Sequence, residues 1–172
     1  TGGTSTEGTD YTDGSGNVDD ITISAGSTTG TVNFTPTDDS VYEGNETAII
    51  SIASVSGGGA SESGTQSVTI TITENESAPT VTLSTSGSSI AENAGSSLTL
   101  TATLSVATTA DVTVALSTSG TATEGTDYTD GSGNIDDITI SAGSTTSTVN
   151  FTPTNDSVYE GDETATIAIS SV

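Results

Sequence analysis

The chain can do chemistry only through oxygen. Its 172 residues include 23 aspartates and glutamates and no lysine, arginine, histidine, cysteine, methionine or tryptophan, so the net charge is −23. Threonine and serine add 66 hydroxyls. Without His or Cys there is no imidazole-activated nucleophile, no thiol and no ordinary zinc site, and without Lys there is no Schiff base. Without any basic side chain nothing can clamp phosphate, which excludes nucleic acids and anionic membrane surfaces as partners. No apolar run approaches the roughly 20 residues of a membrane span, so membrane insertion is excluded too. Carboxylates can still hold an oxygen-ligated cation, act in pairs on glycosides or peptides, or keep a polymer soluble. Asp127 and Glu160 could be drawn as a catalytic pair, but six aromatic residues make a poor sugar platform and no second domain builds a cleft. The chain therefore reads as a non-enzyme.

What the carboxylates do depends on the elements that position them, and a repeat organises those elements. Residues 1–55 recur as 118–172 without a gap, at an offset of 117, with 46 of 55 positions identical. Thr-Glu-Gly-Thr-Asp-Tyr-Thr-Asp-Gly-Ser-Gly-Asn stands at Thr6–Asn17 and again at Thr123–Asn134. Among the differences are Val18 against Ile135, Asp38 against Asn155 and Asn45 against Asp162. A unit of 117 residues suits a β-sandwich domain. The seam falls at Glu76-Ser77-Ala78-Pro79. Residues 1–78 then form the C-terminal part of one module, and residues 79–172 the N-terminal and middle part of the next, lacking its last strand. With no initiator Met or signal-like segment, the chain reads as a mature protein or a piece of one. Two organisations fit: a window on a tandem array, or separate protomers that lend strands to each other.

Composition alone argues for disorder, since Leu, Ile, Val and Phe total only 32 residues beside a charge of −23. Periodicity overrides it. Leu98, Leu100, Ala102 and Leu104 alternate with Thr, as do Val68, Ile70 and Ile72, and Ala165, Ile167 and Ile169. A period of two marks half-buried strands. The strands predicted for one module are A near 80–86, B near 97–105, C near 111–118, D near 137–141, E near 147–153 and F near 163–171. G is read from the first copy near 67–74, where D, E and F recur near 20–24, 30–36 and 46–54. The expected fold is all-β: tandem immunoglobulin-like, Greek-key, seven-stranded β-sandwich modules with a 117-residue repeat.

This parse gathers 21 of the 23 acids at one pole. The C–D regions hold Glu7, Asp10, Asp13, Asp19, Asp20, Glu124, Asp127, Asp130, Asp136 and Asp137. The E–F regions hold Asp38, Asp39, Glu43, Glu46, Asp156, Glu160, Asp162 and Glu163. Glu74 and Glu76 follow strand G, and Glu92 lies between A and B. Only Glu62 and Asp111 fall at the opposite pole. Two carboxylates 4 Å apart repel by about 1 kcal/mol in water and about 4 at an effective dielectric of 20. A divalent cation reverses that sign, and calcium prefers an all-oxygen site. The competing reading is that the acids merely keep an abundant polymer soluble. Asp13-Gly-Ser-Gly-Asn17 lacks the spacing of an EF-hand and reads as a turn. Tyr11, Tyr42, Tyr128 and Tyr159 read as core or loop anchors.

Several of these stretches resemble the Calx-β family. Gly120-Thr-Ala-Thr-Glu-Gly-Thr-Asp-Tyr128, repeated at Gly3–Tyr11, is similar to its GTA-x-x-G-x-DY signature. Ile90-Ala-Glu-Asn-Ala-Gly95 is similar to its V-x-E-x-x-G. Asp156–Glu163, repeated at Asp39–Glu46, resembles its D-x-x-x-E-x-x-E, and Val68–Glu76 resembles its closing strand. The resemblance implies a calcium-linked sandwich of the kind found in exchangers, integrin-type proteins and bacterial surface adhesins. It implicates Glu92, Asp127, Asp156 and Glu160 in the second module, and Asp10, Asp38, Asp39, Glu43, Glu74 and Glu76 in the first, as Ca2+ ligands. Asn155, and Glu74-Asn75-Glu76, depart from the family's aspartates. The function expected is a structural or adhesive repeat of a secreted surface protein or extracellular filament, rigidified by Ca2+. The alternative is a calcium-dependent module that contacts a protein or glycan through its acidic loops. Expected partners are neighbouring modules or identical subunits, in a tandem array or helical filament at the cell surface. The Thr and Ser of the solvent faces and the sequons at Asn33, Asn45, Asn75, Asn150 and Asn155 offer sites for glycans.

Overall fold

The computed structural model describes residues 1–172 except Ser132 and Asp136. Asp136, one of the C–D acids, therefore lies outside the described residues. The chain forms two units, Thr1–Asn75 and Glu76–Val172. Among the described residues all regular structure is β, and no helix is long and apolar enough to cross a membrane.

The second unit contains β7 (Val81–Thr85), β8 (Leu98–Leu104), β9 (Ala107–Thr108), β10 (Val112–Gly120), β11 (Tyr128–Thr129), β12 (Ile138–Ile140), β13 (Thr146–Pro153) and β14 (Ala165–Ser171). Each of the predicted segments A to F overlaps one of these strands. One antiparallel sheet has the order β12-β10-β14, the other β11-β13-β8-β7. Alternation puts one face of each sheet inward. Ala102 and Leu104 of β8 therefore meet Val114 of β10 and Ile138 and Ile140 of β12 between the sheets. Leu100, Tyr128 and Ile135 extend this core. Each fully buried Leu or Ile contributes about 1.5–3 kcal/mol, which is how so few aliphatic residues defeat the disorder prior. The β10–β14 ladder shifts register between Ala115 and Leu116. Asp137 Oδ1 accepts the Leu116 N–H there at 3.0 Å, so this acid serves the sheet.

The first unit contains β1 (Gly2–Gly3), β2 (Tyr11–Thr12), β3 (Thr35–Pro36), β4 (Val41–Tyr42), β5 (Glu46–Ser51) and β6 (Ser67–Ile72). Its sheets are β1-β5-β6 and β2-β3. Strands F and G form as predicted. The segment predicted as D, near 20–24, contains no strand, and that predicted as E is reduced to Thr35–Pro36. The reason is tertiary. Ile138 and Ile140 pair with Val114 and Val112 of β10 and are 2% and 0% exposed. Ile21 and Ile23, in the identical pentapeptide, are 56% and 57% exposed. Within the first unit the equivalent of β10 is only Gly2–Gly3, and β7 and β8 have no counterpart.

Candidate metal centre

The Thr-Glu-Gly-Thr-Asp-Tyr motif folds into the same turn in both units. Gly8, at φ +85°, donates its N–H to Tyr11 O at 2.9 Å, and Gly125, at φ +81°, donates to Tyr128 O at 2.8 Å. Asp10 Oδ2 accepts the Thr6 N–H at 2.5 Å, and Asp127 Oδ2 accepts the Thr123 N–H at 2.6 Å. The tyrosine that follows anchors the turn. Tyr11 is buried and stacked on Phe34 at 4.6 Å, and Tyr128 is stacked on Phe151 at the same distance. The carbonyl of Asp10 accepts the Thr37 N–H at 2.8 Å, and that of Asp127 accepts the Thr154 N–H at 2.9 Å, tying the turn to the end of strand E. Glu7 and Glu124 face their own loops. Their Oε1 atoms accept the N–H of Val18 and of Ile135, each at 2.6 Å.

The Asp-Ser-Val-Tyr-Glu-Gly stretch supplies the other wall. Asp39 Oδ1 accepts the Val41 N–H at 2.7 Å, and Asp156 Oδ1 accepts the Val158 N–H at 2.6 Å, so each loop is braced by its first acid. Gly44 and Gly161 turn the chain at φ +76° and +80° into the strand that begins just beyond. Two clusters result: Asp10 with Glu43 and Glu46, and Asp127 with Glu160 and Glu163. Within each, one carboxylate oxygen per residue lies within 4.8 Å of the others.

The electrostatics match this crowding. Glu43 is pushed above the usual glutamate range by desolvation and then by the charges of Asp10, Glu46, Asp39 and Glu74. Glu46 is raised by desolvation and then by the neighbouring Asp10 carboxylate and the charge of Glu74. Glu160 is raised by desolvation and then by Asp127, Asp156, Glu163 and Glu92. Glu163 is raised by desolvation and by Asp127. With no basic side chain in the protein, nothing internal offsets these charges.

Of the ten residues expected at the metal, Asp10, Glu43, Asp127 and Glu160 stand in the clusters. Asp39 and Glu74 act on Glu43 through their charge, as Asp156 and Glu92 act on Glu160. Glu92 also accepts the Asp156 N–H at 2.7 Å. Glu74 Oε2 accepts the N–H groups of Glu43 and Gly44, both at 2.6 Å. Asp38 Oδ1 accepts a hydrogen bond from Asn75 Nδ2 at 2.7 Å. Asp38 and Glu76 lie outside both clusters. Glu46 and Glu163 are the members absent from the expected set. Their signal was the closing acid of the D-x-x-x-E-x-x-E stretch, which the start of β5 and the approach to β14 turn toward the Asp.

Asp13 forms the expected turn. Its Oδ1 accepts the Ser15 N–H at 2.7 Å and the Gly16 N–H at 3.0 Å, and the Ser15 amide leads the effects that lower its pKa. Tyr159 corrects the anchoring role expected for all four tyrosines: it is 96% exposed beside Glu160, while Tyr42 is half-buried.

Three carboxylates converging without a counter-charge, and with no nitrogen or sulfur donor, fit a hard cation bound through oxygen. Calcium accepts 6–8 such ligands and tolerates carboxylates, carbonyls and waters together. Asp10, Glu43 and Glu46 would hold it in the first unit, and Asp127, Glu160 and Glu163 in the second. The ion would supply the positive charge that the chain lacks.

Comparison with known families finds the Calx-beta domain at residues 1–76 and again at 74–172. No curated protein and no solved structure matches the chain. Calx-beta domains are non-catalytic binding and structural modules associated with calcium. The doubled signature turn, the sandwich behind it and the two matches that together cover all 172 residues lead to one conclusion: this chain belongs to the Calx-beta domain family.

Proposed function

We propose that this chain is a structural or adhesive repeat of a secreted surface protein or extracellular filament, stiffened by Ca2+ at its acidic clusters. It works as a spacer and assembly element at the cell surface, and its partners are neighbouring modules or identical subunits. The observation that carries the reading is the duplicated triad, with three carboxylates converging to within 4.8 Å in a protein without a single basic side chain. No catalytic role is assigned. Glycans on Thr, Ser or the Asn sequons would suit such a surface. Asn75 is the exception, since its side-chain nitrogen is engaged by Asp38.

The deciding experiment is thermal unfolding with Ca2+, with Mg2+ at equal ionic strength, and with a chelator. The expected result is a midpoint raised by Ca2+, less by Mg2+, and lowered again by chelation. An unchanged midpoint sinks the calcium reading. A second reading, a calcium-dependent binding module, is favoured by one observation: Val158 and Tyr159 stand 61% and 96% exposed next to Glu160. A Tyr159→Ser chain that melts and assembles normally but no longer attaches to a surface would support it.

A further inference from the structure

β5 and β14 are the same strand of the repeat, and their outer edges differ. β5 lies between β1, with Gly3 opposite Ala48, and β6, with Glu46 opposite Ile72 and Ser51 opposite Ser67. β14 has β10 on the corresponding inner side, with Gly120 opposite Ala165. Among the described residues no strand pairs with its other edge. An edge of unpaired N–H and C=O groups is a template for another strand.

The geometry of β5 and β6 says which strand fits. Shifted by the repeat offset, its register sets Ile70 opposite Ala165, Val68 opposite Ile167 and Thr69 opposite Thr166. Ala165, Ile167 and Ile169 already turn toward the core, so Val68, Ile70 and Ile72 would join it. On β5 Ile70 and Ile72 are half-buried, and Val68 is left exposed. Val68 is 62% exposed there, and the other sheet of the first unit is only the two-residue pair β2–β3. The second unit offers a four-stranded facing sheet. The same strand in the same register would thus bury more apolar surface on β14 than on β5.

The end of the strand carries a latch. Glu74 Oε2 accepts the N–H groups of Glu43 and Gly44, Glu74 N–H donates to Asn45 Oδ1 at 2.9 Å, and Asn75 Nδ2 donates to Asp38 Oδ1. The second unit keeps every part of the receiver. Glu160-Gly161 makes the same turn, Asp162 offers an oxygen where Asn45 does, and Asn155 offers one where Asp38 does. The donor strand also has a long tether: the loop from β5 to β6 is rich in Gly and Ser, including Gly57-Gly58-Gly59.

We propose that the outer edge of β14 is a strand-acceptor site, and that its occupant is Ser67–Ile72 of a second copy of this chain, with Glu74 and Asn75 closing on the 155–162 loop. The proposal deepens the identical-subunit part of the proposed function and does not depend on calcium. The protein has no cysteine of its own, which makes the register readable. Directly opposed Cα atoms in an antiparallel pair stand within disulfide reach. A chain carrying both Thr69→Cys and Thr166→Cys, mildly oxidised in Ca2+ and separately in EDTA, is expected to give a non-reducing ladder in multiples of 16.8 kDa. The off-register pair Thr69→Cys with Ile167→Cys is expected to give none. A closed monomer, meaning that the strand is supplied in cis, or free thiols alone overturn the proposal. As a second measurement on the unmodified chain, a peptide of residues 64–76 is expected to slow amide exchange across 165–171 at least tenfold. Unchanged exchange also overturns it. The EDTA arm separates this outcome from any failure of the calcium reading, which is tested by the melting midpoint alone.

Discussion

At the scale of single residues, acids that look alike in sequence do three different jobs. Asp10, Glu43 and Glu46 converge, as do Asp127, Glu160 and Glu163. Glu7, Glu124 and Asp137 instead satisfy backbone N–H groups, and Asp13 closes a turn. Glu163→Gln keeps the shape and removes one charge. It is expected to weaken Ca2+ binding by calorimetry about tenfold or more, since ligand charge tunes calcium affinity over decades. It is also expected to raise the melting midpoint of the calcium-free chain, because desolvation and Asp127 already disfavour the Glu163 charge. Glu124→Gln keeps an acceptor for Ile135 and is expected to leave Ca2+ affinity unchanged. Gly120 is a second test at this scale. It sits at φ +126°, and a Cβ there would come within 2.1 Å of Thr164 O. Gly120→Ala is expected to cost about 1–3 kcal/mol from backbone strain alone, read as a lower urea midpoint. Gly133, whose Cβ would meet nothing within 4 Å, is expected to tolerate the same change. The Asp and first Glu of each site were legible from motif spacing. Glu46 and Glu163 were legible only as acids of the right loop, because the turn at Gly44 or Gly161 that swings them inward is a backbone event the spacing does not encode.

At the scale of elements, the repeat is a controlled experiment. Asp20-Ile-Thr-Ile-Ser24 and Asp137-Ile-Thr-Ile-Ser141 are identical, yet only the second contains a strand, β12. Alternation gave the strands of the second unit because each predicted segment finds a partner and a facing sheet within the unit. It failed at 20–24 because period two reports a capacity to be half-buried, while pairing decides whether that capacity is used. The two-residue strands β2 and β11 were invisible to periodicity for want of length, although they seat the tyrosines that hold the site. Ile138→Ala is therefore expected to cost about 2–5 kcal/mol, as a buried large-to-small change does. Ile21→Ala is expected to stay within about 0.5 kcal/mol, as a surface change does. Amide exchange resolved by segment checks both in one chain, with protection lost in β8, β10 and β12 for the first variant and unchanged for the second.

At the scale of the whole molecule, the charge of −23 without internal counterions becomes a statement about pH and ions. Salt screens exposed charges over about 8 Å at physiological strength, but the carboxylates of each cluster lie closer than that. Monovalent salt should therefore relieve them only in part. Protonation relieves them directly. Glu43, Glu46, Glu160 and Glu163 are all raised in the folded state, so between the ordinary glutamate range and their native values the folded chain binds more protons than the unfolded one. Stability then falls as pH rises through that window. Asp13 is shifted the opposite way and contributes only below it, where its carboxylate begins to protonate. The calcium-free chain is accordingly expected to melt higher at pH 5 than at pH 7, the reverse of ordinary acid denaturation. Saturating Ca2+ supplies at pH 7 the charge that protons supply at pH 5, and it competes with them for the same oxygens. It should therefore flatten or invert the slope. Glu46→Gln with Glu163→Gln should flatten the calcium-free slope without any ion. A calcium-free midpoint that rises steadily from pH 5 to pH 7 would show that the clusters do not govern the stability of the chain.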